Sequence, residues 1–396
     1  MRGTGSQQKD TDMESTSSKD PVVVIIQLTG GNDYMNSVVP YADGHYNDAR
    51  NGELCIGEDE VLKIDDHFGL HPTMAPLKEI YDQGEMALIH GVGYPNSPRS
   101  HFRSMDIWHT CEPNKVGTEG WVGRAIRDLD PTGENPVTGV HIGQGLPRAL
   151  VVPGVTVASV ADLSTYGLLT GIEQQRQREK MLERFVNMYG RAIGTGNVKE
   201  YLGRTGLDAL KGADILKEGL GRYETSVEWG TEQISRSLKD IATIHCADLG
   251  TRVFYTQLIG FDTHANQKPV FEKLWTDLSR AISDFWDDVK AHDRDDNVIM
   301  MLFTEFGRRV RDNGSGSDHG AGGGVFVLGP QVKGGMHGEF PSINPRDLEQ
   351  GDLVPNHDFR GVYSTLLEDW MKLDAKPIVD GEFEKLSFIE PLMATA

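Results

Sequence analysis

Carboxylates stand beside imidazoles at short spacing in Asp262-Thr-His264 and in Asp318-His319. Asp33, Glu305 and the stretch Ser97 to His101 add further oxygen and nitrogen donors. Such a mixture, without a thiolate, suits Zn²⁺, Mn²⁺ or a similar divalent ion. Two ions about 4 Å apart would activate a nucleophile and stabilise a leaving oxygen on phosphorus or sulfur. In Tyr94-Pro-Asn-Ser-Pro-Arg-Ser-His-Phe-Arg-Ser104 the serines precede a helical pattern, which sets a hydroxyl at the positive end of a helix dipole. Ser100 is the nucleophile candidate; its plainer role is a helix N-cap, and Ser97 is able to exchange places with it. Arg99, Arg103 and Arg308 carry planar forks that grip a tetrahedral anion at two points. Each group also has a purely structural reading. Asp33 in Gly-Gly-Asn-Asp reads as a turn residue, Asp262 or Thr263 as a helix cap, Asp318-His319 as part of a surface loop, and Glu305 with Arg308 as an ion pair.

The chemistry-bearing residues gain weight from the elements around them. Val22 to Leu28 is a β-branched run of strand length, and Met86 to His90, Arg252 to Ile259, Val298 to Phe303 and Val325 to Leu328 repeat the pattern. Helical periodicity covers about Thr73–Asp82, a segment starting near Ser100, Pro269–Ala291 and Phe359–Leu373. Strands alternating with helices predict parallel pairing with helices on both faces. In such sheets ligands bind beyond the carboxyl ends of the strands. Asp33, Ser97 to His101, Asp262 with His264, and Glu305 each follow a strand, whereas Asp318-His319 precedes one. The charged helical text from Gly171 to Cys246 reads as an insertion, about 165–250, in a single α/β domain over 21–396, behind a flexible tail at 1–20.

The 396 residues carry 59 Asp and Glu against 39 Lys and Arg, a net charge of −20 that repels nucleic acid and anionic membrane. No apolar run reaches the ~18 residues of a membrane span. The first twenty residues lack the apolar core of a signal peptide, so the chain as given reads as cytoplasmic, or as periplasmic or envelope-bound if a leader is missing. Cys55, Cys111 and Cys246 have no CxxC spacing and read as free, buried thiols. There is no GxSxG elbow, no GK[ST] phosphate loop and no HExxH.

Taken together, Gly30-Gly-Asn-Asp33, Arg99-Ser-His-Phe-Arg-Ser104, Gly260-Phe-Asp-Thr-His264, Thr304-Glu-Phe-Gly-Arg308 and Asp318-His-Gly320 resemble a bacterial family of unknown function. That family often carries twin-arginine export signals and is grouped with the sulfatase and alkaline phosphatase superfamily. The resemblance spans about Pro21 to Leu373. It implies an alkaline-phosphatase-like three-layer αβα fold with a mostly parallel central sheet, and a site of one or two ions, Zn or Mn first. On it Asp33 is the first-strand metal ligand and Ser100 the nucleophile position. Asp262 and His264 hold one metal, and Asp318 and His319 the other. His337 and His357 are the candidates for a late histidine ligand. The formylglycine pattern of sulfatases is absent, since aligning its proline with Pro98 puts Asn96 at the nucleophile.

The resulting expectation is a metal-dependent hydrolase or transferase of a small anionic phosphate or sulfate ester. Ser100, His101 and Glu305 would be catalytic, Arg99, Arg103, Arg308 and Asn32 would contact substrate, and Asp33, Asp262, His264, Asp318 and His319 would bind metal. The competing readings are a non-catalytic envelope protein that binds a ligand on the same fold, and a single-metal or metal-free esterase built on Ser100-His101.

Overall fold

The most apolar segment, Val22 to Leu28, is buried along its length and runs through the middle of the molecule. The computed structural model describes residues 19–390, apart from 51, 222 and most of 164–197, and apart from the side chains of 198–204 and 218. In chain order the strands are β1 (Val22–Thr29), β2 (Val38–Val39), β3 (Leu62–Lys63), β4 (Gly69–Leu70), β5 (Met86–Gly93), β6 (Gly139–Ile142), β7 (Ala158–Val160), β8 (Val253–Ile259), β9 (Val298–Phe303), β10 (Gly323–Leu328), β11 (Gly335–His337) and β12 (His357–Asp358). Among the described residues β2, β4 and β3 form a small antiparallel sheet. The rest form one large sheet in the order β11-β5-β10-β9-β1-β8-β6-β7, with β12 beside β5.

β1 pairs in parallel with both neighbours, Val23 opposite Val253 of β8 and Val22 opposite Val298 of β9. A strand covered on both faces and both edges has no solvated side, which is why its sequence shows no polar alternation. One strand departs from the expected direction: β10 runs antiparallel to both β5 and β9. Its amino end therefore lies at the same edge as the carboxyl ends of its neighbours. That reversal brings Asp318-His319, which precede β10, to the edge where Asp262 and Glu305 follow β8 and β9.

Alternate residues of each strand feed two cores. Val24, Ile26 and Leu28 pack with Trp275, Leu278, Ile282 and Phe285 of helix Gln267–Ala291 and with Leu238 and Ile241 of helix Gln233–Cys246. Val23 and Ile25 pack on the opposite face with Ile107 and Trp108 of helix His101–Thr110, Val122 and Ile126 of helix Trp121–Leu129, and Val362 and Tyr363 of helix Phe359–Thr365. The result is the expected three-layer αβα arrangement around a mostly parallel sheet. The last long helix is interrupted, because Phe359–Thr365 passes into a wider turn at Leu366–Trp370. Of the insertion expected at about 165–250, helices Val198–Leu220 and Gln233–Cys246 are described; the expected tail, apart from Lys19 and Asp20, and most of 164–197 lie outside the described residues. The cysteines are free, but only Cys111 is buried, with Cys55 and Cys246 half-exposed. No helix among the described residues is long and apolar enough to cross a membrane.

Candidate metal centre

Five adjacent strands, β5, β10, β9, β1 and β8, deliver their polar ends to one edge of the sheet. Helix His101–Thr110 starts there after the loop that leaves β5. Its first residue, His101, meets Asp262 from the loop after β8 and His319 from the loop before β10. One ligand atom from each of these three lies within 4.8 Å of the others. The Nε2 atoms of His264 and His319 are 2.9 Å apart. Asp262 Oδ1 is 3.0 Å from His319 Nε2 and 3.1 Å from His264 Nε2, and Asp262 Oδ2 is 3.4 Å from His101 Nε2.

The outward sides of these rings settle which nitrogens are available. His101 Nδ1 lies 2.8 Å from Oε1 of the fully buried Glu305, a carboxylate that can only accept. His319 Nδ1 lies 2.9 Å from the Arg99 carbonyl oxygen, and His264 Nδ1 lies 3.2 Å from Asp318 Oδ1. Each Nδ1 therefore donates, and each Nε2 turns its lone pair inward. His101 Nε2 is buried and has no hydrogen-bond partner. Three inward lone pairs and a carboxylate repel one another unless positive charge sits among them. One proton bridges a single contact, whereas a divalent cation meets several at once. The donor set thus fits a metal ion, with Glu305, Asp318 and a backbone carbonyl in the positions that orient metal-bound histidines.

The surroundings also shift the acidities of these groups. Partial burial raises the Asp262 carboxyl, but the neighbouring His319 ring and the Arg308 guanidinium outweigh it and hold the group below the usual carboxylate range. The hydrogen bond to Glu305 lifts His101 above the ordinary imidazole value against the opposing effect of burial. The His264 contact keeps Asp318 low. The backbone is shaped for these contacts. Arg99 holds φ 52°, a left-handed conformation that a non-glycine residue adopts at a cost of about 1–2 kcal/mol, and it is the Arg99 carbonyl that meets His319. At Gly30, φ is +122° and an added Cβ would lie 2.3 Å from the Asp262 amide nitrogen. Its own amide donates to Glu305 Oε1 at 2.9 Å.

The remaining expected site residues are placed as follows. Ser100 is the N-cap of helix His101–Thr110 and makes no side-chain capping bond, so its half-buried hydroxyl is free beside His101. Asp33 is not brought to the cluster. It is fully buried in a two-point ion pair with Arg50, at 2.8 and 3.0 Å, and accepts from Gln267 Nε2 at 2.6 Å. Gln267 Oε1 in turn accepts from Ser317, so this network anchors the loop that carries Asp318 and His319. Asn32 is buried against Ser37. Arg103 donates to the carbonyls of Glu112, Pro113 and Lys115 and to Asp106. The Arg99 guanidinium binds Asp352 and Gln350. Arg308 is buried on the Gly31 and Phe261 carbonyls and on Asp262, leaving Nη1 unpartnered. His337 bonds the Lys333 carbonyl, and neither it nor His357 joins the cluster. Sequence reasoning missed Arg50 and Gln267; His101, expected among the catalytic groups, lies in one cluster with Asp262 and His319.

Residues 213–376 match the family described as protein of unknown function (DUF1501), which bears out the resemblance drawn from the motifs. No curated protein matches the chain. Among solved structures, the C-terminal periplasmic domain of EptC from Escherichia coli in complex with Zn aligns with 96% of this chain and 89% of its own, at 8% identity and TM-score 0.42. The sulfatase PsFucS1 from Pseudoalteromonas sp. aligns over 93% and 71%, at 10% identity and TM-score 0.41. A protein of the alkaline phosphatase superfamily from Vibrio parahaemolyticus aligns over 92% and 69%, at 10% identity and TM-score 0.37. With likeness at that level, function has to be read from the residues of this chain.

Proposed function

We propose that this protein is a metal-dependent hydrolase or transferase of phosphate or sulfate esters, with its reaction centre at His101, Asp262 and His319. The observation that carries the reading is the inward convergence of imidazole lone pairs on Asp262, each ring fixed from behind by an acceptor. When bound, a divalent ion supplies charge that activates a hydroxyl and offsets negative charge on the ester oxygens. His101, Asp262 and His319 would hold it, with His264 completing the donor set. Glu305 and the Arg99 carbonyl keep Nδ1 of His101 and His319 protonated, so that Nε2 stays available. Arg308 holds Asp262 in place and brings a buried positive charge beside the centre. Ser100, its hydroxyl free at the start of a ten-residue helix, would lose its proton to solvent and form the bond to phosphorus or sulfur as the bond to the alcohol oxygen breaks, that oxygen leaving as the alcohol after taking up a proton. Water in a hydrolase, or an acceptor alcohol in a transferase, would then displace Ser100. The helix amino terminus favours the negative charge that then develops. Arg99, Arg103 and Asn32 act in this account through the loops they tie down, and Asp33 through Arg50 and Gln267.

The test is turnover of aryl phosphate monoesters, diesters and aryl sulfates by the full chain supplied with Zn²⁺ or Mn²⁺. Hydrolysis of one ester class that falls at least about 10²-fold in Ser100→Ala and in His319→Ala supports the reading. Equal activity in the wild type and in both variants overturns it.

A further inference from the structure

Beyond the carboxyl ends of β6, β7 and β8 lies a cavity of about 740 Å³, within the size range of small-ligand sites. Its wall includes Ile259 on β8, three residues before the ligand Asp262. Three residues of fully extended chain span at most about 11 Å, so the cavity opens within the reach of an ester held at the metal centre. Gln144 comes from the loop after β6, Gln233 from the start of helix Gln233–Cys246, and Gln257 from β8 on the same strand face as Ile259. Among the described residues none of these three side-chain amides hydrogen-bonds to another protein group, so each keeps donors and acceptors to offer.

The charges on the wall balance. Arg236 and Lys239 face Asp162 and Asp240, so neither a strong anion nor a cation is selected. Burial lifts the Asp240 carboxyl to about 6, so near neutral pH it is mainly an acceptor. Ile259 is a 58% exposed aliphatic side chain, and Ile142 and Ala161 are the other apolar side chains of the wall. Amides and paired charges around one aliphatic patch match a molecule with hydroxyls on its rim and C–H groups on its face. An aryl or alkyl alcohol would leave the amides unpaired, which disfavours it.

We propose that this cavity binds the alcohol part of the ester, and that this alcohol is rich in hydroxyls, a sugar or cyclic polyol. The inference rests on the ester-hydrolase reading for its connection to chemistry, but binding of the unesterified alcohol does not require turnover or metal. Ligand-detected NMR titration of the full chain with D-glucose, D-galactose, D-mannose and myo-inositol, against cyclohexanol and phenol as size-matched probes, tests it directly. The expected result is that at least one polyol binds more tightly than cyclohexanol and phenol. Its affinity falls about five- to tenfold in Gln257→Leu and in Gln233→Leu and stays unchanged in His319→Ala. If Gln257→Leu, within the sheet, does not fold, Gln144→Ala and Gln233→Leu carry the comparison. Polyols that bind no better than cyclohexanol, affinity indifferent to the cavity substitutions, or binding lost in His319→Ala would each overturn the assignment. Polyol binding without ester turnover would leave the cavity assigned and count against the hydrolase reading alone.

Discussion

At the scale of single residues, His101 illustrates how neighbours commit a side chain to one task. Glu305 Oε1 accepts from both the Gly30 amide and His101 Nδ1, which fixes the ring and leaves Nε2 facing Asp262. Glu305→Gln keeps the size but removes the charge that orients the imidazole. We expect it to fold and to bind Zn²⁺ about 10–100-fold more weakly, measured by competition with a chromophoric chelator; unchanged affinity would mean that Glu305 does not support the ligand. Residue types were the most readable level of this molecule. Asp262, His264, Asp318 and His319 stood out because carboxylates and imidazoles together have little structural use in glycine-rich loops. Asp33 misled for a physical reason: a buried carboxylate is explained by its partner, and Arg50 lies 17 positions away with no periodicity linking the two.

At the scale of elements, two loops must be held side by side for the centre to exist. Gly316 lies against the backbone that carries His264, and a Cβ there would come within 2.4 Å of the His264 carbonyl carbon and the Thr263 oxygen. Gly316→Ala therefore forces apart the loop bearing Asp318 and His319 and the loop bearing Asp262 and His264. The expected outcome is a loss of about 1–3 kcal/mol in stability together with weakened metal binding. Gly44→Ala, where an added Cβ meets nothing within 4 Å, is the control and should change neither. Chemical denaturation with and without Zn²⁺ reads both effects. The strands were legible because β-branched apolar runs bounded by glycine have few other uses, and helix Gln267–Ala291 because its apolar stripe repeats at helical spacing. The direction of β10 was not legible. A four-residue apolar run reads alike in a parallel or an antiparallel position, and only the pairing of Phe326 with both Leu302 and Leu88 separates the two.

At the scale of the whole molecule, buried histidines set the acid limit of the fold. Burial lowers His71, His90 and His141 to about 4 and His109 to about 3, from an ordinary value of 6.5. Their folded values are depressed, so the stability they contribute is intact above about pH 6.5 and is lost as pH falls towards 4. Unfolding near pH 5 should take up about one proton per histidine, each worth ~1.4 kcal/mol per pH unit. His109→Gln should lower that uptake by about one proton in urea titrations across pH 6 to 4.5, and an unchanged slope would contradict the assignment. Asp240 works in the opposite sense. Its carboxyl is raised to about 6, so its contribution is present at low pH and is lost as pH rises through 6. Asp240→Asn should therefore raise the unfolding midpoint at pH 8 and leave it unchanged near pH 3.5. The layer order of the molecule followed from the alternation of strands and helices, whereas the cavity beyond β6, β7 and β8 arises from separate segments between Ile142 and Ile259 and has no local signature.

The central claim is that His101, Asp262 and His319 form a metal centre. The most direct test is the metal content, by elemental mass spectrometry, of the full chain purified without chelator or histidine tag and then exposed to divalent ions, alongside His319→Ala and Asp33→Asn. The account predicts near-stoichiometric Zn, Mn or a similar ion in the wild type, its loss in His319→Ala and its retention in folded Asp33→Asn. A wild type that holds no ion after divalent ions are added, or a His319→Ala protein that holds as much as the wild type, would contradict it.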